Sequence, residues 1–107
     1  MLLKGLKMAT SDTQLKVNTN LAEPPMFKVI YINDNQTSVE FVINSLVTHF
    51  EYTPDTAEKI TLDIHQAGSA VVAVLPYEIA EQKGIEITVA ARSEGYPLQI
   101  KLEPDSR

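Results

Sequence analysis

The sequence predicts one α+β domain: a small two-layer sandwich in the order β-α-α-β-α-β, with helices on one face of a three-stranded antiparallel sheet. Three observations predict it. The β-branched and aromatic run Val29-Ile30-Tyr31-Ile32 breaks at Asn33-Asp34-Asn35 and leads straight into an apolar stripe of helical spacing. A continuous apolar run, Ala70-Val71-Val72-Ala73-Val74-Leu75, follows a second helical pattern. Strict alternation then closes the chain, with Leu98, Ile100 and Leu102 interleaved by Gln99, Lys101 and Glu103. A chain of 107 residues can build one such core but not two.

Taken in order, residues 1–23 read as a flexible extension and residues 24–107 as the folded unit. The extension is small, polar and slightly basic, with Lys4, Lys7 and Lys16 against Asp12 and Glu23, and Pro24-Pro25 closes it. Asn33-Asp34-Asn35 ends the first strand, because these short polar side chains bond their own backbone and favour turns. Thr37, followed three residues later by Glu40, has the pattern of a capping box and starts the first helix. Its stripe is Val39, Val42, Ile43, Leu46, Val47 and Phe50. Thr53 caps the second helix, with Pro54 at its first position and Gly68 at its end. Ala57, Ile60, Ile64 and Ala67 lie along one side of it. The apolar run 70–75 reads as a central strand. Pro76 and Glu78 open the third helix, whose narrow stripe Ala80, Gly84, Ile87 and Ala91 suits close packing on a sheet, and Gly95 ends it.

Composition excludes several functions. The formal net charge of -5 argues against nucleic acid, since phosphate binding needs a basic face. No cysteine is present, which removes disulfides and thiolate metal sites and fits a reducing cytoplasm. No apolar run approaches the roughly 20 residues of a membrane span, and the first eight residues are too interrupted for a secretory apolar region. No cofactor motif and no metal-ligating set emerges. His49, Asp63 and His65 are close in sequence, but Asp63 and His65 leave a helix on different faces.

Asn33, Asp34 and His65 are the polar residues that could carry chemistry. A lone histidine near a helix end most often serves structure and suits the helix dipole, and Asn-Asp pairs are ordinary turn residues. Catalysis lacks a nucleophile with an oxyanion site, because Thr37 and Ser38 read as capping residues. A phosphate cradle is excluded by the absence of glycine and the acidity of the turn. An acidic turn rich in amides suits a cation, and a free peptide α-amino group is one at neutral pH. Asp34 offers charge, Asn33 a carbonyl and neutral His65 a ring nitrogen.

The run Phe27 to Asn35, with Thr37, Glu40, Phe41 and Val42, closely resembles ClpS, the adaptor of the bacterial N-degron pathway. The resemblance continues through Ala57, His65 and Gly68, then Glu78-Ile79-Ala80-Glu81-Gln82-Lys83, and ends at Pro97-Leu98, covering roughly residues 24 to 103. It implies a monomeric, non-enzymatic adaptor that binds proteins by a bulky hydrophobic first residue and delivers them to the AAA+ unfoldase ClpA and its peptidase ClpP. It implies that Asn33, Asp34 and His65 hold the substrate's α-amino group. The first side chain would enter a pocket walled by Ile32, Thr37, Val39, Val42, Thr61, Ile64 and Leu98. Glu78, Glu81 and Lys83 would dock on the unfoldase N-domain, and the extension before Pro24 would serve delivery. Two positions depart from the family pattern. Val39 and Thr61 each stand where methionine is common, so an altered choice of first residue is expected, with Thr61 adding polarity. A rival reading is a stalk-type recruitment module, because the ribosomal L7/L12 C-terminal domain shares the fold. The Asn-Asp turn with its distant histidine favours the adaptor.

Overall fold

The computed structural model describes residues 24–106. The expected extension, residues 1–23, lies outside them. The elements run β1 (Met26–Ile32), α1 (Val39–Phe50), α2 (Pro54–Ala67), β2 (Ser69–Pro76), α3 (Tyr77–Ser93) and β3 (Gln99–Pro104), as the sequence predicts. The sheet is antiparallel throughout, in the order β2-β1-β3.

That order corrects one expectation. The apolar run 70–75 forms an edge strand, and β1 is the centre. Val71 is 49 % exposed, while Val29 and Tyr31 of β1 are fully buried. A bulge sets Val29 opposite Ala73 and Ile30 opposite Val71, so Val72 is the unmatched residue, and it turns into the core at 2 % exposure. Hydrophobicity marks how much of a strand packs, whereas its place in the sheet follows from the connections. The two-helix crossover lays β2 along one side of β1, and β3 returns along the other.

The alternation in β3 matches its register. Ile100 pairs with Tyr31 and Leu102 with Val29, facing the helices, while Lys101 and Glu103 pair with Ile30 and Lys28 on the outer face. Lys101 Nζ lies 2.9 Å from Glu103 on that face. Val29, Tyr31, Val42, Leu46, Ile64, Ile87 and Leu98 form the heart of the core. Ala80, Ile87 and Ala91 of α3 are fully buried, and a Cβ on Gly84 would stand 3.8 Å from Ile100 Cγ2, so small residues do bring α3 close to the sheet.

Helix ends are set largely as expected. Thr53 Oγ1 accepts from Thr56 N–H at 3.2 Å to cap α2. Gly68 ends α2 at φ 91°, a backbone region that costs glycine nothing. The start of α1 differs: the cap is Ser38, whose Oγ accepts from Phe41 N–H at 3.0 Å. Thr37 does not cap the helix, because its hydroxyl donates to Asp34 instead. The capping-box spacing from Thr37 to Glu40 is therefore one residue out of phase with the helix. Val39 also leaves the expected stripe: it is 62 % exposed, and the buried face of α1 begins at Val42.

A candidate N-terminus-binding site

Past Ile32 the chain turns over residues 33–38 before α1. Asn33 N–H donates to the Gly68 carbonyl at 2.9 Å, tying the first residue of this turn to the last turn of α2. Gly68 N–H in turn donates to the Ile64 carbonyl at 2.9 Å. His65 lies beside Ile64 on the same turn of helix, so the Asn-Asp turn and the histidine, far apart in sequence, meet at one end of the fold.

Between them lies a cavity of about 290 Å³, at the small end of ligand-site volumes. Asn33, Asp34, Asn35 and His65 line its polar part. Thr37, Val39, Val42, Thr61 and Ile64 line the rest. Of the wall expected from the sequence, Ile32 and Leu98 are not in this lining. Both border a different depression, with Arg92 and Gln99, and Leu98 is 1 % exposed in the core. Asn35 is a lining residue that the sequence does not mark. Its only signal is its place beside Asn33 and Asp34 in an exposed turn.

The carboxylate of Asp34 organises the turn. Its Oδ1 accepts from the backbone N–H of Gln36 and of Thr37, both at 2.7 Å, and its Oδ2 accepts from Thr37 Oγ1 at 2.8 Å. Burial alone would raise its pKa. The bonds from Thr37 and Gln36, with the charge of Arg92, outweigh burial and hold the carboxyl below its ordinary range. Asp34 is therefore ionised at neutral pH and fixed in place by its own loop.

The apolar side is equally constrained. Tyr31, fully buried beneath α1, donates its hydroxyl to Ser45 Oγ at 2.8 Å, because the Ser45 hydrogen is committed to the Val42 carbonyl at 2.7 Å. Burial pushes the Tyr31 phenol up to about 12, against a lowering by Ser45. This chain of bonds anchors the backbone at Val42. Thr61 Oγ1 donates to the Ala57 carbonyl at 2.7 Å. Its one donor is spent within α2, so Thr61 brings less polarity to the cavity than its residue type suggests. Val39, on the first turn of α1 and mostly exposed, forms part of the rim. The site thus sets fixed acceptors beside an apolar floor, which suits a small cation carrying an apolar group.

The other expected site residues lie elsewhere. Glu78, Glu81 and Lys83 are on α3, and none lines the cavity. Glu81 accepts from the Tyr77 hydroxyl at 2.9 Å, while Lys83 Nζ lies 5.8 Å from the centre of the Phe50 ring. Two residues apart on a helix they point about 160° from one another, so they occupy opposite flanks. His49 Nδ1 is 3.6 Å from Glu86 on α3, and His65 lines the cavity, so the two histidines serve different places. Among the described residues, no three His, Cys, Asp or Glu side chains gather as a metal site would require, and no helix is long and apolar enough to cross a membrane.

The family model described as ATP-dependent Clp protease adaptor protein ClpS matches residues 22–101. The chain belongs to the ClpS family. It is 41 % identical over 92 residues to the ClpS adapter of Nitratidesulfovibrio vulgaris, covering 86 % of this chain and 92 % of that one. It is 40 % identical over 91 residues to the ClpS adapter of Clostridium acetobutylicum, covering 85 % and 90 %. Among solved structures, Agrobacterium tumefaciens ClpS2 bound to L-phenylalaninamide superposes with a TM-score of 0.74 at 37 % identity, over 78 % of this chain and all of that one. The family is one of adaptors to the Clp protease, and its fold is the one described here.

Proposed function

We propose that the cavity between the Asn-Asp turn and α2 binds protein N-termini carrying a bulky hydrophobic first residue. The chain would then hand them to the ClpA-type unfoldase of the ClpAP protease. The observation that carries this reading is the convergence of Asn33, Asp34 and His65 on the same cavity as Val39, Val42, Thr61 and Ile64. An ionised, loop-held carboxylate attracts the α-ammonium group, and the Asn33 side-chain carbonyl and a ring nitrogen of His65 accept its remaining hydrogens. The apolar floor takes the first side chain. L-phenylalaninamide, found on the Agrobacterium relative, has this chemistry: a free α-amino group, a benzyl side chain and an amide where the next residue would begin.

In this reading the chain performs no reaction and uses no cofactor, acts as a monomer in the cytoplasm, and leaves ATP hydrolysis and peptide cleavage to its partners. Glu78, Glu81 and Lys83 on α3 contact the unfoldase N-domain, away from the cavity, so substrate and unfoldase can be held together. Fluorescence anisotropy with peptides differing only in residue one, each with an N-acetylated copy, tests the reading. Binding of Phe, Tyr, Trp or Leu starts that acetylation abolishes supports it, and equal binding of acetylated copies overturns it.

A further inference from the structure

The outer face of the sheet, turned away from the helices, is polar on one strand and apolar on the other two. β3 turns Gln99, Lys101 and Glu103 outward, as a strand with one solvated face should. β1 turns out Met26, Lys28, Ile30 and Ile32, and β2 sets Val71 beside Ile30 and Val74 beside Lys28. The inward Phe27, Ala73 and Leu75 join the core, whereas Met26, Ile30, Ile32 and Val74 do not, and Val71 is half-exposed. Among the described residues nothing in the core accounts for this apolar surface, and a contiguous patch of this kind marks a contact.

The face begins where residues 1–23 join the fold. The Pro25 carbonyl accepts from Tyr77 N–H at 3.3 Å and the Met26 carbonyl from Asp105 N–H at 2.8 Å, so the chain enters β1 at a fixed point. Just upstream, Leu15-Lys16-Val17-Asn18-Thr19-Asn20-Leu21 alternates, which puts Leu15, Val17, Thr19 and Leu21 on one side of an extended chain. Read backwards from Leu21, that side runs apolar, polar, apolar, apolar. The outward row of β1, read forwards from Met26, has the same order, and both stretches are seven residues long. Residues 22–25 connect them and can span about 13 Å, enough for the roughly 10 Å between packed layers. We propose that residues 15–21 fold back antiparallel over β1 and cover the outer face, with Leu21 on Met26, Thr19 beside Lys28, Val17 on Ile30 and Leu15 on Ile32. A second copy of the chain fits the face less well. Three strands of this length offer about 300 Å² on a side, so two such faces fall well short of the roughly 1,200 Å² of a stable interface. Charge points the same way. Three lysines against Asp12 and Glu23 give residues 1–23 a net +1, leaving -6 on the remainder of a chain at -5, so the segment is attracted where a second copy is repelled. Tethering also supplies an effective concentration near millimolar.

Limited trypsin digestion of the full chain, read by mass spectrometry, tests it. Lys16 lies inside the covering segment, Lys4 and Lys7 lie outside it, and Lys28 within β1 reports unfolding. Cleavage of a docked segment follows the population of its open form. In Ile30→Thr/Val71→Thr, which keeps β-branched residues on the sheet, cutting after Lys16 should therefore speed up by about three- to tenfold. Cutting after Lys7 should be unchanged, and Lys28 should stay uncut. Leu21→Ser, which leaves the described fold untouched, should release Lys16 to the same extent from the other side of the contact. A Lys16 rate that neither variant changes overturns the contact. Protection of Lys16 that grows with protein concentration would mean that a second copy covers the face, and overturns it too. The outer face is separate from the cavity at the Asn-Asp turn, so either failure leaves the N-terminus-binding reading intact.

Discussion

Asp34→Asn separates the structural role of one carboxylate from the binding role proposed for it. The amide oxygen keeps both 2.7 Å bonds from Gln36 and Thr37 N–H, and the amide nitrogen can donate to Thr37 Oγ1 once that hydroxyl turns. The turn should therefore survive. Exchanging a charged acceptor for a neutral one should cost about 0.5–1 kcal/mol, or roughly 2–8 °C in Tm for a domain of this size. Asp34→Ala removes every one of these bonds and should cost more, about 1–2 kcal/mol, as a lost cap does. The effect on binding should be larger than the effect on folding. A carboxylate about 4 Å from an ammonium contributes about 1 kcal/mol in water and up to about 4 at a protein surface. Asp34 is partly exposed, so about 1–2 kcal/mol, or roughly five- to thirtyfold in Kd, is expected. The pH dependence has a definite sign. Folding lowers the Asp34 pKa, so its carboxylate stabilises the fold above the unfolded value of about 3.9 and loses that effect as pH falls through the lower folded value. The stability advantage of wild type over Asp34→Asn should thus be flat at neutral pH and vanish in acid. Thermal melts from pH 7 to 2, with anisotropy of a Phe-starting peptide at pH 7, provide the comparison. An Asn variant that binds as tightly as wild type would show that the charge is not used. One that melts as low as Asp34→Ala would show that the turn needs the carboxylate itself.

Other perturbations follow from single contacts. Val39→Met should leave stability within about 0.5 kcal/mol, because the site is mostly exposed, and should narrow the accepted first residues; an unchanged preference series would remove Val39 from the rim's selectivity. Ser45→Ala strands the buried Tyr31 hydroxyl and should cost about 1–3 kcal/mol by denaturant melts, with a loss under 0.5 kcal/mol contradicting a stabilising role for this bond. Gly84→Ala adds a Cβ at ordinary contact distance, 3.8 Å from Ile100, inside a helix, and should raise stability by about 0.5–1 kcal/mol; destabilisation would mean that α3 and β3 cannot accept a methyl group.

Much of this molecule was legible because local rules and global packing agree. Thr53-Pro54, Gly68 and the alternation of β3 each state a local conformation that the fold keeps. The acidity of the glycine-free turn points to Asn33 and Asp34 from sequence alone, and the fold brings His65 to the same cavity. The errors arise where the sequence carries two signals at once. Residues 70–75 are apolar enough for a central strand, yet the crossover puts them at an edge. Thr37 and Ser38 are both good caps, and the choice depends on Asp34 claiming the Thr37 hydroxyl. Val39 fits the helical period and still escapes the core, because α1 begins at the cavity rim. Ile32 and Leu98 were expected at the cavity from the family resemblance alone, and both border another depression instead. Asn35 had no feature beyond its neighbours to mark it.

The central claim is that a free N-terminal residue lodges between the Asn-Asp turn and the last turns of α2. Titration of the 15N-labelled protein with L-phenylalaninamide tests it most directly. The account predicts saturable shifts at the amides of Asn33, Asp34, Thr37, Val39, Thr61 and His65, with α3 from Glu78 to Lys83 unmoved and N-acetyl-phenylalaninamide without effect. Saturable shifts confined to other residues, or the same shifts with the acetylated compound, would contradict it.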